Sequence, residues 1–310
     1  MLQASKSSFL KDIVILIKSR REALGLWMWA SMVFSLLVGR GFPPLIPTLL
    51  TLLSVFFTVT AVYIYNDLID IDADKNNSVK KDRPLPSGAV PIKNARYLIY
   101  LSAIIGVALS YYLNIISFIF TLTYLLLFLI YSYPPIHLKK KFLIKESVIV
   151  TGLFLVNITV SYAIMNSFSW MAMIGTIFFA IYGFAVMPAA MDSTDVFADK
   201  LQGVKTLASV LSWKRRIQLM MSGILLIMTL TPFTYLNFGF NMILPIFVVL
   251  SCLVFLRYAF PIMNHFDKVA VMSDEYLLRT KRLIIIFNLV MNIFVIIGSI
   301  NLALILPQFF

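Results

Sequence analysis

The chain has 310 residues, 60% of them hydrophobic and only 13% charged, where an ordinary soluble domain carries about 25% charged residues. That composition argues against a water-soluble fold and for an integral membrane chain. A formal charge of +12 would suggest a nucleic-acid partner in a soluble protein. In a membrane chain it marks cytoplasmic loops and anionic lipid headgroups, so no nucleic acid is expected as a partner.

Residues 1–22 carry five basic side chains and no apolar stretch of signal-peptide length before Ala23, so they read as mature sequence and not as a cleaved export signal. Leu10, Ile13, Val14 and Ile17 recur at helical spacing, which predicts a short amphipathic helix lying in the membrane interface. Apolar runs near the roughly 20 residues a bilayer demands follow at 23–39, 44–66, 96–113, 115–131, 147–166, 168–190, 217–236, 240–260 and 283–306. The expected fold is therefore all-α, a single bundle of about nine transmembrane helices over 23–310. Gly41-Phe42-Pro43-Pro44, Asn114, Asn166 and Asn237-Phe238-Gly239 predict tight turns between them. Cys252, the one cysteine, sits in an apolar run and reads as a small buried residue.

Of the 26 Lys and Arg, 25 fall before span 1 or around loops 2/3, 4/5, 6/7 and 8/9, and only Arg40 falls on the other side. All 14 acidic residues share the basic side. By the positive-inside rule the N-terminus is cytoplasmic and the C-terminus outside, in a cell (inner) membrane, with the charged face in the cytoplasm.

The chemistry gathers on that face. At 100° per residue, Asn66, Asp70 and Asp74 lie at about 0°, 40° and 80° and Asp67 at about 100°, so four polar groups share one side of the end of span 2, while Asp72 points away. Asp192, Asp195 and Asp199 open the loop after span 6 and would share a face on a continued helix. Carboxylates packed this closely repel unless cations neutralise them. His137 and His265 stand alone in the sequence and no cysteine is near, so the ligand set is oxygen only, which suits Mg²⁺ and not zinc. Lys75, Lys80, Lys81 and Arg83 follow the first cluster, Lys200 and Lys205 the second, and Lys139 to Lys141 lie in loop 4/5. Arg83 is held in the rigid run Arg83-Pro84-Leu85-Pro86-Ser87-Gly88. Two acidic clusters with flanking cations suggest metal ions bridging a diphosphate.

Asn66-Asp67-x-x-Asp70-x-x-x-Asp74 with Arg83-Pro84-Leu85-x-Ser87-Gly88, Tyr131-Ser132-Tyr133-Pro134-Pro135-x-x-Leu138-Lys139, and Asp195-x-x-x-Asp199 with Gly203-Val204-Lys205-Thr206-Leu207 resemble, in order and on one face, the motifs of the UbiA superfamily of membrane prenyltransferases. The resemblance implies that the chain takes a prenyl diphosphate and a small acceptor from within membrane lipids, and that Mg²⁺, as two ions, stabilises the leaving diphosphate while C1 alkylates the acceptor. It implies metal binding by Asn66, Asp67, Asp70, Asp74, Asp192, Asp195 and Asp199, with Asp67, Asp70, Asp195 and Asp199 catalytic. Arg83, Lys139 and Lys205 would hold the diphosphate, and Arg20 would meet the acceptor. The interval from Asp74 to Arg83 resembles 4-hydroxybenzoate prenyltransferases. Tyr131 to Pro135 and Asp192 look more like homogentisate, chlorophyll or digeranylgeranylglyceryl phosphate synthases, although Met191 and Ala198 replace a Lys and a Gly common there. An aromatic acceptor is favoured as the commoner one in the family, with a lipid acceptor such as geranylgeranylglyceryl phosphate as the alternative. A UbiA-type terpene cyclase and a multispan transporter or scaffold are the rival readings, the latter disfavoured because charges stay at the helix ends and not at mid-membrane.

Overall fold

The structure, a computed structural model, describes residues 9–76, 80–189, 196, 200, 203–265 and 274–301. Among them the secondary structure is entirely helical, and nine helices are long and apolar enough to cross a membrane. Helix α1 is Phe9–Ser19 and α2 Arg21–Val38. α3 (Leu45–Ile69) is followed by the short α4 (Ile71–Lys75), then by α5 (Ile92–Leu113), α6 (Ile115–Ser132) and α7 (Ile144–Met165). α8 (Trp170–Ile181) runs on through a π-helical turn, Tyr182–Val186, and a 3-10 turn, Met187–Ala189. The short α9 (Leu207–Val210), α10 (Trp213–Thr234), α11 (Ile243–His265) and α12 (Asp274–Ser299) complete the order.

The expected spans and the observed helices agree to within a few residues through span 8. The ninth differs: its helix begins at Asp274 and ends at Ser299, earlier at both ends than expected. The stop has a cause in a turn remote in sequence. The Asn241 amide donates to the carbonyls of Ile297 (3.1 Å) and Ile300 (3.0 Å), and the Asn241 N–H donates to Gly298 (2.8 Å), which satisfies carbonyls left open at a helix end.

One large core runs through the bundle, built from Trp27, Phe34 and Leu37 of α2, Val55 and Val59 of α3, Tyr124 and Phe128 of α6, Val156 and Val160 of α7, and residues of α8 and α10–α12. Cys252 is fully buried in it. Small residues permit the closest approaches, because apolar lipid gives helices little hydrophobic reason to associate and packing must supply it. At Gly106 of α5 a methyl group would sit 2.3 Å from the Thr58 hydroxyl of α3, and the Ser54 hydroxyl donates to the Gly106 carbonyl at 2.7 Å.

Helix α1 is not simply an amphipathic passenger. Leu16 joins Ile64, Leu85, Val90, Leu98 and Ile99 in a second cluster, with Ile13 and Ile17 packed on it, whereas Leu10 and Val14 face outward. Asp12, fully buried, accepts from the Asn94 amide at 2.7 Å. The apolar residues of α1 thus divide between a protein face and an outer face, and the protein face braces both the end of α3 and the 83–90 loop.

Candidate active site

The first acidic motif keeps its helical register across the junction of α3 and α4. Asp70 departs only mildly from helical angles, its N–H donates to the Asn66 carbonyl (3.0 Å), and the Asp74 N–H donates to the Asp70 carbonyl (2.8 Å). Asn66, Asp67, Asp70 and Asp74 therefore share a face, as the 100° spacing predicts. Asp67 and Asp74 are buried, whereas Asp72 is exposed and pairs with Lys75 at 3.3 Å.

Three segments bring cations to these carboxylates. Arg20, at the junction of α1 and α2, donates through Nε to Asp67 Oδ2 (2.5 Å), and its Nη2 pairs with Asp67 Oδ1. Arg83 Nη1 lies 2.9 Å from Asp74 Oδ2 and 3.6 Å from Asp67 Oδ1. Its loop is rigid for visible reasons: the Ser87 hydroxyl and N–H both donate to the Arg83 carbonyl, the Val90 N–H donates to the Pro84 carbonyl, Gly88 takes a φ of +74° open to glycine, and Leu85 and Val90 are buried. Lys139 Nζ contacts both Asp70 oxygens, at 2.5 and 2.6 Å, and Asn66 Oδ1 at 3.2 Å. It stands on a 3-10 turn, Leu138–Lys140, that follows Pro134, Pro135 and His137 at a φ of +43°. The Ser132 hydroxyl also donates to Asn66 Oδ1 at 2.8 Å.

Above this network opens a cavity of about 510 Å³. Asp70, Asp74 and Asn66 line it together with five cations, Arg20, Lys80, Arg83, Lys139 and Lys145, while Val62, Phe128 and Ile149 give it an apolar base. Among the described residues these five cations give the lining the charge to receive an anion. Burial, and then the neighbouring Arg83 charge, lowers the Arg20 pKa to about 10, so Arg20 remains cationic near neutral pH.

The lining oxygens fit Mg²⁺. Asp70 and Asp74 are hard carboxylate donors and Asn66 adds an amide oxygen, and Mg²⁺ is characteristically held by one or two carboxylates with water and substrate phosphates. Among the described residues no three acidic, His or Cys side chains converge into a ready-made cage. Asp192, Asp195 and Asp199 lie outside the described residues, as does the side chain of His265.

Other expectations are redistributed. Lys205 is exposed, and its neighbours Val204 and Thr206 line the cavity instead. Arg20, expected at the acceptor, also lines the cavity but is held by a motif carboxylate. His137, isolated in the sequence, lines the cavity as well. Lys145, Tyr63 and Glu146 were not singled out by sequence reasoning. Lys145 and Tyr63 line the cavity, and Glu146, buried beside Lys145, accepts from the Leu207 N–H at 3.0 Å. A carboxylate at a loop–helix boundary carries no motif spacing, so only the fold exposes its role.

Comparison with known proteins agrees with this geometry. The profile of the UbiA prenyltransferase family matches residues 27–272. Digeranylgeranylglyceryl phosphate synthase of Sulfurisphaera tokodaii is 33% identical over 204 residues, 64% of this chain and 70% of that protein. The namesake from Saccharolobus solfataricus is 31% identical over 217 residues, 68% of this chain and 71% of that protein. By fold, a solved structure from work on the biosynthesis of digeranylgeranylglyceryl phosphate synthase in membranes superposes with a TM-score of 0.72 at 20% identity, covering 94% of this chain and 99% of the other. A UbiA homologue from Archaeoglobus fulgidus bound to GPP and Mg²⁺ superposes with a TM-score of 0.62 at 18% identity, over 88% and 97%. These relatives favour the lipid-type acceptor over the aromatic one favoured as the commoner in the family.

Proposed function

The chain belongs to the UbiA prenyltransferase family and is an integral membrane transferase of prenyl groups; from that premise we propose that it alkylates the hydroxyl of a glyceryl phosphate lipid with a prenyl diphosphate, such as geranylgeranyl diphosphate on geranylgeranylglyceryl phosphate. The observation that carries the reading is the likeness to relatives 31% and 33% identical that bear the name of that lipid synthase; among the described residues the cavity adds five lining cations over an apolar base. An aromatic carboxylate acceptor would bring one negative charge beside the diphosphate. A phosphomonoester brings about two, and Arg20, Lys80 and Lys145 line the cavity beside the cations assigned to the diphosphate.

Bound Mg²⁺, proposed as two ions held by Asp67, Asp70 and Asp74 with Asp195 and Asp199, would neutralise the diphosphate as it departs, where charge stabilisation contributes most. Asn66 and Asp192 complete the proposed ligand set. Arg83 and Lys139 are positioned to donate to diphosphate oxygens, and they already stand within hydrogen-bonding distance of Asp74 and Asp70. An incoming anion would exchange one partner for another without drawing either cation from solvent. Val62, Phe128 and Ile149 keep water from C1 as the C1–O bond breaks; the acceptor hydroxyl forms the new C–O bond, and its proton passes to the departing diphosphate. The catalytic face is proposed to be cytoplasmic, in the cell membrane, with the N-terminus on the same side, because 25 of 26 basic residues gather there.

Purified protein given radiolabelled geranylgeranyl diphosphate should convert geranylgeranylglyceryl phosphate to a doubly prenylated product, in a reaction stopped by EDTA and restored by Mg²⁺. An Asp67→Ala, Asp195→Ala double variant should be inert. Label appearing instead on 4-hydroxybenzoate or homogentisate would return the acceptor to the aromatic class, and a hydrocarbon or alcohol formed without any acceptor would mark a cyclase.

A further inference from the structure

We propose that Glu146 is a positioning residue that clamps the loop following the second acidic motif onto the start of α7 and thereby fixes one wall of the substrate cavity; this rests on the transfer reading of that cavity. Glu146 lies in the first turn of α7 and is only 3% exposed. Its Oε1 accepts from the N–H of Leu207, 61 positions away in the chain, at 3.0 Å, while its Oε2 is buried with no hydrogen-bond partner among the described residues. A buried carboxylate with one oxygen unsatisfied is costly and calls for an explanation. The positive end of the α7 dipole offsets part of that cost.

The partner amide explains the rest. Leu207 opens the four-residue α9, so its N–H is one of the donors that a helix start leaves open. The segment before it is folded on itself: the Thr206 hydroxyl accepts from the Ser209 N–H (3.1 Å), the Ser209 hydroxyl accepts from the Thr206 N–H (2.8 Å), and that hydroxyl also contacts the Val204 carbonyl (3.0 Å). Residues 204–209 therefore move as a unit, and Glu146 ties the unit to α7. Val204 and Thr206 from the unit line the cavity, and so does Lys145, the residue next to Glu146. One buried hydrogen bond joins two pieces of cavity wall that the sequence keeps apart. In the chain, the clamped unit follows a few residues after Asp195 and Asp199.

If the clamp positions the wall, its loss weakens binding of the diphosphate substrate more than it slows turnover. In the full-length enzyme in detergent, Glu146→Leu should raise KM for geranylgeranyl diphosphate about tenfold, the scale of a lost hydrogen bond to a charged group, with kcat changed less than threefold. Glu146→Gln, which keeps an acceptor oxygen, should recover most of the affinity. A second measurement is independent of turnover: a Val204→Cys variant is labelled with a water-soluble maleimide, against a low background because Cys252 is fully buried. Adding Glu146→Leu should accelerate labelling severalfold, and adding Glu146→Gln should not. Unchanged labelling in the Glu146→Leu background overturns the clamp. Faster labelling with unchanged KM overturns the positioning role, leaving a structural contact only. A wild-type protein inert on every donor and acceptor removes the transfer reading; inorganic pyrophosphate with Mg²⁺ then replaces substrate as a protectant of the Val204→Cys variant against the maleimide, and failure of Glu146→Leu to weaken that protection overturns the proposal.

Discussion

The two ends of the bundle solve the same problem with different chemistry. On the face bearing Arg40, the turns are short and their polar groups are satisfied by neutral asparagine side chains. Asn114 accepts from the Ser117 N–H and donates to the Tyr162 carbonyl, both at 2.7 Å, Asn166 closes α7 in the left-handed region, and Asn241 caps α12. On the opposite face the polar groups are charged and pair as ions: Arg20 with Asp67, Arg83 with Asp74, Lys139 with Asp70. Neutral caps are complete in themselves and offer a ligand nothing. Ion pairs can exchange partners, so a diphosphate and a cation can enter between them. The contrast explains why one end is a set of turns and the other a site.

That contrast is broken most severely by removing a carboxylate from the charged end. Asp67→Ala should abolish transfer, by at least about 10²-fold in kcat, and also destabilise the protein by about 3–5 kcal/mol, because the buried Arg20 guanidinium loses its counter-charge. Thermal unfolding in detergent measures the second effect, and a variant as stable as wild type would show that Arg20 finds another partner. Asp70→Asn should cost comparable activity with a smaller stability loss, since Asp70 and its partner Lys139 keep more contact with solvent. Arg83→Ala follows, with KM for the prenyl diphosphate raised about tenfold or more and kcat less affected.

What could be read from the sequence divides along the same line. Spans were legible because hydropathy is a local property, and the face shared by Asn66, Asp67, Asp70 and Asp74 was legible because helical periodicity is too. Only the ninth span was misjudged at its ends, where the Asn241 amide, far away in sequence, decides the stop. The pairing of each carboxylate with its cation was not legible: Arg20 is 47 positions from Asp67 and Lys139 is 69 from Asp70, and no spacing rule connects them. The same holds for α1, whose periodicity foretold an amphipathic helix but not that Asp12 would be buried against Asn94. The acceptor was least legible of all, because the chain is similar both to digeranylgeranylglyceryl phosphate synthases and to 4-hydroxybenzoate octaprenyltransferases.

The smallest effect is expected at the uncharged end, and it tests whether that end is only structural. Asn114 accepts from the Ser117 N–H through Oδ1 and donates from Nδ2 to the carbonyl of Tyr162, near the end of α7. Asn114→Ala deletes an N-cap, worth about 1 kcal/mol, and also removes one of the two donors to the Tyr162 carbonyl, which keeps the Asn166 N–H at 3.1 Å. Stability should fall by roughly 1–2 kcal/mol on the scale of a lost cap and one net hydrogen bond, seen as a lowered melting temperature, while KM for both substrates stays at the wild-type value. Asn114→Asp should restore the capping acceptor but not the donor, and recover part of the loss. A change in KM for either substrate would mean that the neutral end is coupled to the cavity through α6, whose far end carries Phe128, Tyr131 and Ser132 to the site, and the division between a structural end and a chemical end would have to be abandoned.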